Sequence, residues 1–338
     1  MAFEFDKKGS ECRRNMVEID LKDRKILYHL YLNCRQSNAQ IGKKVGLSKQ
    51  VVDYRIKRME EAGIITGYWT IIDSYRFGYQ VYRYYLILQN ASSEIKEQMI
   101  SHIVNYGNTW VVALTTGSYD MGALIWVKGI PEFYRFWDDF NERYGDYLAE
   151  KIFSVYLQAE CYPASYLLAD NFNKSDRETL RIVGGKDPIE INTSDYKLLT
   201  EIVENARIPL IELANKLHCS SQAVSYRIKN LLKEGIIQGF RVGIDNGKIG
   251  FHWFKVDIWL KEPSKRKQIW NYMKYNPYVT YFDISAGYAD LEIEFTIENT
   301  DKLIEVIEEM SSHFPGVVRK YIYLGVKKSV KLRCLPEL

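Results

Sequence analysis

Residues 48–65 read Ser-Lys-Gln-Val-Val-Asp-Tyr-Arg-Ile-Lys-Arg-Met-Glu-Glu-Ala-Gly-Ile-Ile. Val52 and Ile56 recur at helical spacing, Ser48 is a suitable N-cap, and Gly63 stands where a helix ends. The remaining positions form a polar and partly basic face. This stretch therefore predicts one amphipathic helix with a solvated outer surface.

A shorter helix is predicted immediately upstream, over Asn38–Val45, with Ile41 and Val45 on one face. Gly46-Leu47 makes a tight break between the two helices. A helix, a sharp turn and a second helix with a polar outer face is the arrangement that places one helix in a DNA major groove. The sequence therefore predicts a helix-turn-helix.

The motif occurs a second time, at residues 220–237, as Ser-Ser-Gln-Ala-Val-Ser-Tyr-Arg-Ile-Lys-Asn-Leu-Leu-Lys-Glu-Gly-Ile-Ile. Tyr54 and Tyr226 align at an offset of 172 positions, with no gap. The same offset aligns Asp23 with Asp195, Gln50 with Gln222, Arg55 with Arg227, Lys57 with Lys229, and Gly78 with Gly250. The chain is therefore an internal tandem repeat.

Composition and charge set wide limits. The 338 residues are 46% hydrophobic and 26% charged, as in globular proteins of two to four domains, and the net charge of +3 permits nucleic-acid binding without indicating it. No apolar stretch is long enough to span a membrane, so no membrane partner is expected. Five cysteines form no CxxC pair and predict a reduced, cytoplasmic protein without disulfides or zinc: Cys12, Cys34, Cys161, Cys219 and Cys334.

The pattern beyond each helix-turn-helix predicts an α+β chain. Leu21–Asn33 is expected to be a helix, Val17–Asp20 and Ile189–Asn192 short strands, and Ile64–Ile72 a strand or small wing folded against the three helices. The first half then predicts strands and helices in the split βαβ order of a ferredoxin-like sandwich: Val81–Leu88, Ser92–Tyr106, Val111–Thr116, Met121–Val127, Ile130–Arg143 and Lys151–Cys161. The second half repeats that order: Phe251–Leu260, Pro263–Tyr275, Val279–Ala286, Leu291–Ile297, Thr300–His313 and Val317–Tyr323.

These elements divide the chain into two winged helix-turn-helix domains, each followed by a ferredoxin-like βαββαβ sandwich domain. Leu291–Ile297 alternates without a fault, which predicts one buried face and one face in water. The expected divisions are a tail (1–16), a first winged helix (17–75), a first sandwich (76–165), a linker (166–188), a second winged helix (189–247) and a second sandwich (248–338).

Two helix-turn-helix units ending in Arg-Ile-x-x-Met/Leu-x-x-x-Gly-Ile-Ile, each followed by a βαββαβ domain with a Gly-x-x-Asp hairpin, resemble the Lrp/AsnC (feast/famine) transcription regulators. The hairpins are Gly117-Ser-Tyr-Asp120 and Gly287-Tyr-Ala-Asp290. The resemblance covers nearly the whole chain, twice. It implies sandwiches that pair and assemble further, so that this chain forms a pseudo-dimer within itself.

The resemblance also implies an amino-acid effector near the hairpins, with Gly117, Tyr119, Asp120, Gly287, Tyr288 and Asp290 as the expected binding residues. Whatever their role in binding, Gly and Asp at these positions are typical of hairpin turns. The first sandwich has Tyr144-Gly-Asp146 where the second has Phe314-Pro-Gly-Val317, so it departs from the family at a usual oligomer contact.

Double-stranded DNA is the expected partner. Gln50 and Gln222 are candidates to read adenine, and Lys57 and Lys229 to hold phosphate. Arg55 and Arg227 have two interpretations, a grip on phosphate or a bond to a buried acid such as Asp23 or Asp195. The full predicted DNA-binding set is Ser48, Lys49, Gln50, Asp53, Tyr54, Arg55, Lys57, Ser220, Ser221, Gln222, Ser225, Tyr226, Arg227 and Lys229.

An enzyme is the alternative. Siroheme decarboxylases of haem biosynthesis resemble the same layout and are in some cases fused in tandem. They usually carry an arginine-rich strand after the recognition helix, where this chain has Thr66-Gly-Tyr68 and Gln238-Gly-Phe240. No nucleophile with its base, phosphate loop or metal-ligand cluster is evident. The sequence therefore predicts a regulator without catalytic residues, cofactor or metal.

Overall fold

The computed structural model describes residues 16–178 and 180–337. Within these residues the helices are α1 (Leu21–Leu32), α2 (Asn38–Val45), α3 (Lys49–Glu61), α4 (Ser93–Asn105), α5 (Ile130–Tyr144), α6 (Thr193–Ile202), α7 (Leu210–Lys216), α8 (Ser221–Lys233), α9 (Arg266–Met273) and α10 (Thr300–His313). The strands are β1 (Ile65–Ile72), β2 (Gln80–Leu88), β3 (Thr109–Gly117), β4 (Met121–Val127), β5 (Leu148–Cys161), β6 (Arg181–Gly184), β7 (Ile237–Ile244), β8 (His252–Leu260), β9 (Val279–Ala286), β10 (Leu291–Ile297) and β11 (Val318–Leu332).

Each half contains one four-stranded antiparallel sheet. The strand order is β5-β2-β4-β3 in the first half and β11-β8-β10-β9 in the second. Helices α4 and α5 cover the outer face of the first sheet through apolar side chains such as Met99 and Phe140, which pack on Tyr84 and Ile125. Helices α9 and α10 cover the second sheet in the same way, with Met310 against Phe295. One face of each sheet therefore has its own apolar core.

The two sheets do not form separate domains. β3 pairs with β11, and β5 pairs with β9, so that eight strands close into one barrel. The prediction of two separate sandwich domains is therefore not confirmed. The physical reason lies in β11, which continues to Leu332 instead of ending at Tyr323, because its second part pairs with β3 of the other half. Closure leaves neither sheet with an unpaired edge strand at these positions.

The two halves are joined by backbone hydrogen bonds that occur in equivalent pairs. The Asp73 N–H donates to the Ile236 carbonyl at 2.8 Å, and the Asp245 N–H donates to the Ile64 carbonyl at 2.8 Å. Each bond becomes the other when its residues are moved by the repeat offset. Two more pairs behave alike: Cys34 to Phe240 with Ala206 to Tyr68, and Val17 to Lys248 with Ile189 to Arg76. The two halves of the chain are thus related by an approximate twofold axis.

Two strand predictions are wrong at this junction. Val17–Asp20 and Ile189–Asn192 are irregular in the structure. Each segment makes a cross-half bond through its first N–H, to the carbonyl of Lys248 or Arg76. With no neighbouring strand beside them, their alternating residues have no ladder to join.

β1 is a strand, as predicted, but it is not a wing of its own domain. It pairs antiparallel with β7, from Ile65 opposite Ile244 to Ile72 opposite Ile237. Buried side chains of both helix-turn-helix units lie in one hydrophobic cluster around this ribbon, including Leu27, Met59, Leu199, Leu231 and Phe240. The two units therefore share one core.

The polar faces of the strands point into the barrel, not into solvent. Glu292 on β10 was expected on a wet face, yet it is 1% exposed, and Arg83 on β2 and Lys255 on β8 are each 2% exposed. Alternation along a strand distinguishes two faces, and in a barrel the polar face can be the lumen. The lumen is described further below.

The segment 166–188, predicted as a linker, is folded. It contains short 3₁₀ turns and β6, which pairs with β5. Arg177 within it is 2% exposed and donates to the carbonyls of Pro163 at 3.0 Å, Lys274 at 2.8 Å and Val279 at 2.6 Å. Burial lowers the pKa of Arg177 to about 10. The segment is thus anchored to the second half by one side chain.

Arg177→Ala should lower the stability of the whole chain. Each buried carbonyl left without a donor costs about 1–3 kcal/mol, so a loss of about 3 kcal/mol or more is expected in urea unfolding. Arg319→Ala is the matched control, because Arg319 is exposed. If both variants unfold at the same urea concentration as the wild type, Arg177 does not hold this segment in place.

Candidate nucleic-acid interface

Both predicted recognition helices begin at a capping serine. The Ser48 hydroxyl accepts from the Val51 N–H at 3.3 Å, and the Ser220 hydroxyl accepts from the Ala223 N–H at 3.1 Å. The turn before α3 contains Gly46 with φ of 68°, and the equivalent position before α8 is His218 with φ of 51°. The left-handed conformation makes the sharp turn in both units, at some cost for a non-glycine residue.

The outward faces of α3 and α8 carry the same exposed side chains in the same order. Tyr54 is 66% exposed and Tyr226 is 67% exposed, although large aromatic residues usually pack against a neighbour. Their neighbours on this face are also exposed: Lys49, Gln50, Lys57, Gln222 and Lys229. Ser221 and Ser225 of α8 are half-buried. Each unit therefore presents glutamine, tyrosine and lysine to solvent.

Lys57 is available to a ligand. Its side chain is 75% exposed, and its ammonium lies 3.8 Å from the carboxylate of Glu61, which is 67% exposed. Exposed pairs one helical turn apart contribute only about 0.5 kcal/mol or less. A phosphate can replace Glu61 as the partner of Lys57 at little cost.

Arg55 and Arg227 are each paired with an acid of their own unit, as the second of the two interpretations expects. Arg55 donates to Asp20 at 2.8 Å and to the fully buried Asp23 at 2.8 Å, and Arg227 donates to Asp195 at 2.7 Å. The hydrogen bond to Asp23 raises the pKa of the Arg55 guanidinium. Both arginines join the recognition helix to the first helix of its unit, and the structure does not place them among the free cations of the DNA face.

Asp53 is also engaged. It is half-buried, and the side-chain amide of Asn38 on α2 donates to its carboxylate. Asn38 in turn accepts from Arg207 of the second half at 2.8 Å. The sequence offered no signal for this link, because Arg207 lies 169 positions from Asn38. Asp53 therefore belongs to the contact between the two units.

The Gly-x-x-Asp hairpins lie together at the end of the barrel opposite to the β1–β7 ribbon. Asp120 accepts from the Leu88 N–H at 2.8 Å, and Asp290 accepts from the Leu260 N–H at 2.8 Å. The glycines have positive φ, 95° at Gly117 and 86° at Gly287. Both aspartates thus have a structural role in closing their hairpins.

The two hairpins meet through their tyrosines. The hydroxyls of Tyr119 and Tyr288 are 2.7 Å apart, and Tyr288 donates to Asp257 at 2.9 Å. Both tyrosines belong to the set of effector-binding residues that the family resemblance implies. The structure brings them into one contact between the halves.

Residues 16–178 and 180–337 contain no group of three or more His, Cys, Asp or Glu side chains placed to hold a metal ion. No helix in that part of the chain is long and apolar enough to cross a bilayer. Cys34, Cys161, Cys219 and Cys334 are free thiols, and Cys12 lies outside the described residues.

Comparison with known proteins adds relatives of each unit. A family model for winged helix-turn-helix DNA-binding domains matches residues 19–66 and 191–238. The HTH-type transcriptional regulator Ptr1 of Methanocaldococcus jannaschii is 33% identical over 137 residues, 40% of this chain and 84% of that regulator. Regulatory protein AsnC of Haemophilus influenzae is 29% identical over 117 residues, 35% of this chain and 77% of AsnC.

One solved structure matches both units at once. The siroheme decarboxylase NirDL covers 92% of this chain and 93% of its own, with a TM-score of 0.60 and 14% sequence identity. At that identity the likeness concerns the fold alone. The regulators match about one repeat each, at higher identity and over most of their own length. The chain therefore belongs to the Lrp/AsnC family of helix-turn-helix transcriptional regulators, of which it carries two units in tandem.

Proposed function

We propose that this chain regulates transcription by binding both halves of one operator with the two recognition helices of a single polypeptide. The observation that carries the proposal is the repeated exposed face of α3 and α8, with Gln50, Tyr54 and Lys57 matched by Gln222, Tyr226 and Lys229. An approximate twofold axis relates the two helices. Such symmetry matches an operator whose half-sites are inverted repeats.

The residues of that face divide into two roles. Lys57 and Lys229 hold phosphate, which supplies affinity for any sequence and makes binding depend on salt. Gln50 and Gln222 bond the N6 and N7 atoms of adenine, which supplies selectivity. Ser48 and Ser220 each accept one N–H of the first turn, and the other first-turn N–H groups of α3 and α8 can donate to a DNA phosphate.

The pseudo-dimer makes binding independent of association between chains. In a homodimer the second half-site is bound only after two chains meet, whereas here both units share one core. The second contact is then intramolecular, with a high effective concentration. The family resemblance further supports assembly of several chains and an amino-acid effector near the hairpins that contain Tyr119 and Tyr288.

A siroheme decarboxylase-like enzyme is the second candidate, and the observation that favours it is the two-unit fold shared with NirDL over 92% of this chain. The strands after the recognition helices are not arginine-rich: β1 contains Thr66-Gly-Tyr68 and no arginine, and in β7 Gln238-Gly-Phe240 is followed by Arg241 alone. Incubation with siroheme under reducing, oxygen-free conditions tests this candidate. A decarboxylated product would show that the chain is a siroheme decarboxylase, whereas unchanged siroheme would favour the regulator.

Replacing Lys57 and Lys229 with Ala should weaken binding to all DNA sequences alike. Loss of two phosphate contacts should reduce the slope of log K against log salt by about 2. Gel retardation on the chain's own promoter, over a salt series, gives the slope. Lys267→Ala is the control, because Lys267 is exposed on the helical side of the barrel. Wild-type protein that retards no DNA at low salt would refute the proposed function.

Replacing Gln50 and Gln222 with Ala should lower selectivity more than affinity. A lost bidentate contact to a base costs about 1–3 kcal/mol of discrimination per half-site. Competition between the operator and random DNA measures the ratio, and the salt slope should stay unchanged. A variant that keeps the wild-type ratio would show that other residues read the bases.

Lys49→Ser should make the selected operator more symmetric. Lys49 corresponds to Ser221 at the repeat offset. Because Asp53 is held by Asn38, Lys49 is the main exposed difference between the two reading faces. Selection from random DNA should return an imperfect palindrome for the wild type. The variant should return two more similar half-sites, whereas identical sites for both proteins would show that Lys49 does not face the bases.

A further inference from the structure

The barrel is not filled by its own side chains. A cavity of about 1270 Å³ extends from Tyr85 and Thr115, deep in the lumen, to Trp69 and Val242 on the β1–β7 ribbon. Eight-stranded barrels are wide enough to hold one small ligand, and ligand sites in proteins commonly measure about 300–1,000 Å³. The cavity therefore has room for a small organic molecule.

The two halves build different walls for this cavity. Leu124 lies opposite Arg83 in the first sheet, as Glu294 lies opposite Lys255 in the second, so the two pairs are equivalent. The equivalent lining positions differ in polarity: Ala113, Leu124 and Trp126 in the first half correspond to Asp283, Glu294 and Thr296 in the second. One wall is apolar and aromatic, and the facing wall is acidic. Two identical subunits could not make such a site.

Two of the cations that line the cavity, Arg83 and Lys255, are paired with carboxyl groups, whereas Arg241 on β7 donates to the hydroxyls of Tyr31 and Tyr281. Arg83 pairs with Glu292 and with Asp283 at 3.4 Å, while Lys255 pairs with Asp257 and with Glu292 at 2.8 Å. These contacts use both cations. The Arg83 and Lys255 charges are thus shared among three carboxyl groups.

Glu294 is left without a cationic partner. The Trp253 indole N–H donates to its carboxyl at 3.0 Å, and among residues 16–178 and 180–337 no Lys, Arg or His forms an ion pair with it. Burial, followed by the neighbouring Asp283, raises the pKa of Glu294 well above its usual range. Burial also raises the pKa of Asp283. In the free barrel Glu294 therefore lies beside Asp283 and Trp253 without a cation to balance its ionised form, in a place where a bound cation would favour the carboxylate.

The opposite wall offers a flat apolar surface. The rings of Trp110 and Trp126 stack with centroids 5.4 Å apart and an interplanar angle of 9°. The Trp126 indole N–H donates to Ser74 at 2.9 Å, which fixes its buried ring, and the half-buried Trp110 stacked on it lines the cavity. Aromatic faces attract both flat apolar groups and cations.

We propose that the barrel cavity binds an organic cation, an amine or amidine on an aromatic or apolar body, with the cationic group at Glu294 and the body against Trp110. The site is distinct from the hairpins that contain Tyr119 and Tyr288. It does not depend on DNA binding, so each activity can fail without the other.

A cation bound at Glu294 favours the carboxylate over the protonated acid, so affinity is expected to fall as pH is lowered. The groups that face Glu294 are Asp283 from β9, Lys255 and Trp253 from β8, and Tyr156 and Cys161 from β5. Of these, Asp283 is the second group that can gain or lose a proton with the ligand. Calorimetry in buffers of different ionisation enthalpy measures the released protons.

The test titrates the full chain with tryptamine and 2-phenylethylamine, and with the neutral analogues indole-3-ethanol and 2-phenylethanol, in a calorimeter at neutral pH. The amines should bind at least about tenfold more tightly than the alcohols, which corresponds to about 1.4 kcal/mol. Glu294→Gln should remove that difference by weakening the amines alone. Glu262→Gln is the control, because Glu262 is an exposed carboxylate of the same half.

A second variant and a stability measurement keep the test decisive. Ala113→Leu adds volume to the apolar wall and should weaken amines and alcohols alike. Because the folded-state pKa of Glu294 is raised, Glu294→Gln should melt above the wild type at neutral pH, and this difference should vanish near about pH 4. Both variants should still retard DNA.

Three results would overturn the proposal. Amines that do not bind at millimolar concentration, or that bind no better than the alcohols, would show that the cavity does not select cations. Glu294→Gln with wild-type affinity for the amines would remove Glu294 from the site. A melting temperature of Glu294→Gln below that of the wild type would show that the carboxylate is already paired in the free barrel.

Discussion

The pairing of β3 with β11 and of β5 with β9 is the constraint on which the rest of the structure depends. Each sheet of four strands ends in edge strands whose backbone groups need partners, and the other half of the chain supplies them. The pairing fixes the approximate twofold axis and encloses a lumen. β1 and β7 precede the barrel strands β2 and β8 in the chain, and the two helix-turn-helix units share a core around the ribbon that β1 and β7 form. Symmetric reading faces and an enclosed interior follow from one set of strand contacts.

The two repeats are alike on the exposed faces of the recognition helices and differ in the barrel lumen. On the recognition helices, Gln50, Tyr54 and Lys57 have exposed counterparts at the repeat offset, as inverted half-sites require. In the lumen, Leu124 and Glu294 occupy equivalent places with opposite polarity. Every change in a homodimer is made twice, so its axis allows no one-sided pocket. Fusion of the two units allows the barrel interior to be asymmetric. The recognition helices remain symmetric because inverted half-sites require it.

Local patterns in the sequence predicted much of the fold. The bounds of β9, β10 and α10 agree with the predicted Val279–Ala286, Leu291–Ile297 and Thr300–His313, because period and caps set them locally. Those local patterns could not predict contacts between segments that are distant in the sequence. A polar strand face reads the same whether it meets water or a barrel lumen, so Glu292 was expected in solvent. The partner of Arg55 could be chosen only when Asp23 was placed in space.

The late position of β11 has a consequence for synthesis of the chain. β3 ends at Gly117, but the strand that covers its edge ends at Leu332, more than 200 residues later. At about 5–20 residues per second, a ribosome needs roughly 10–40 s to supply that partner. Until then the first half exposes an unpaired edge strand and half of a shared core, the two features that favour aggregation. A nascent chain is therefore expected to be most prone to aggregation in the interval before β11 is made.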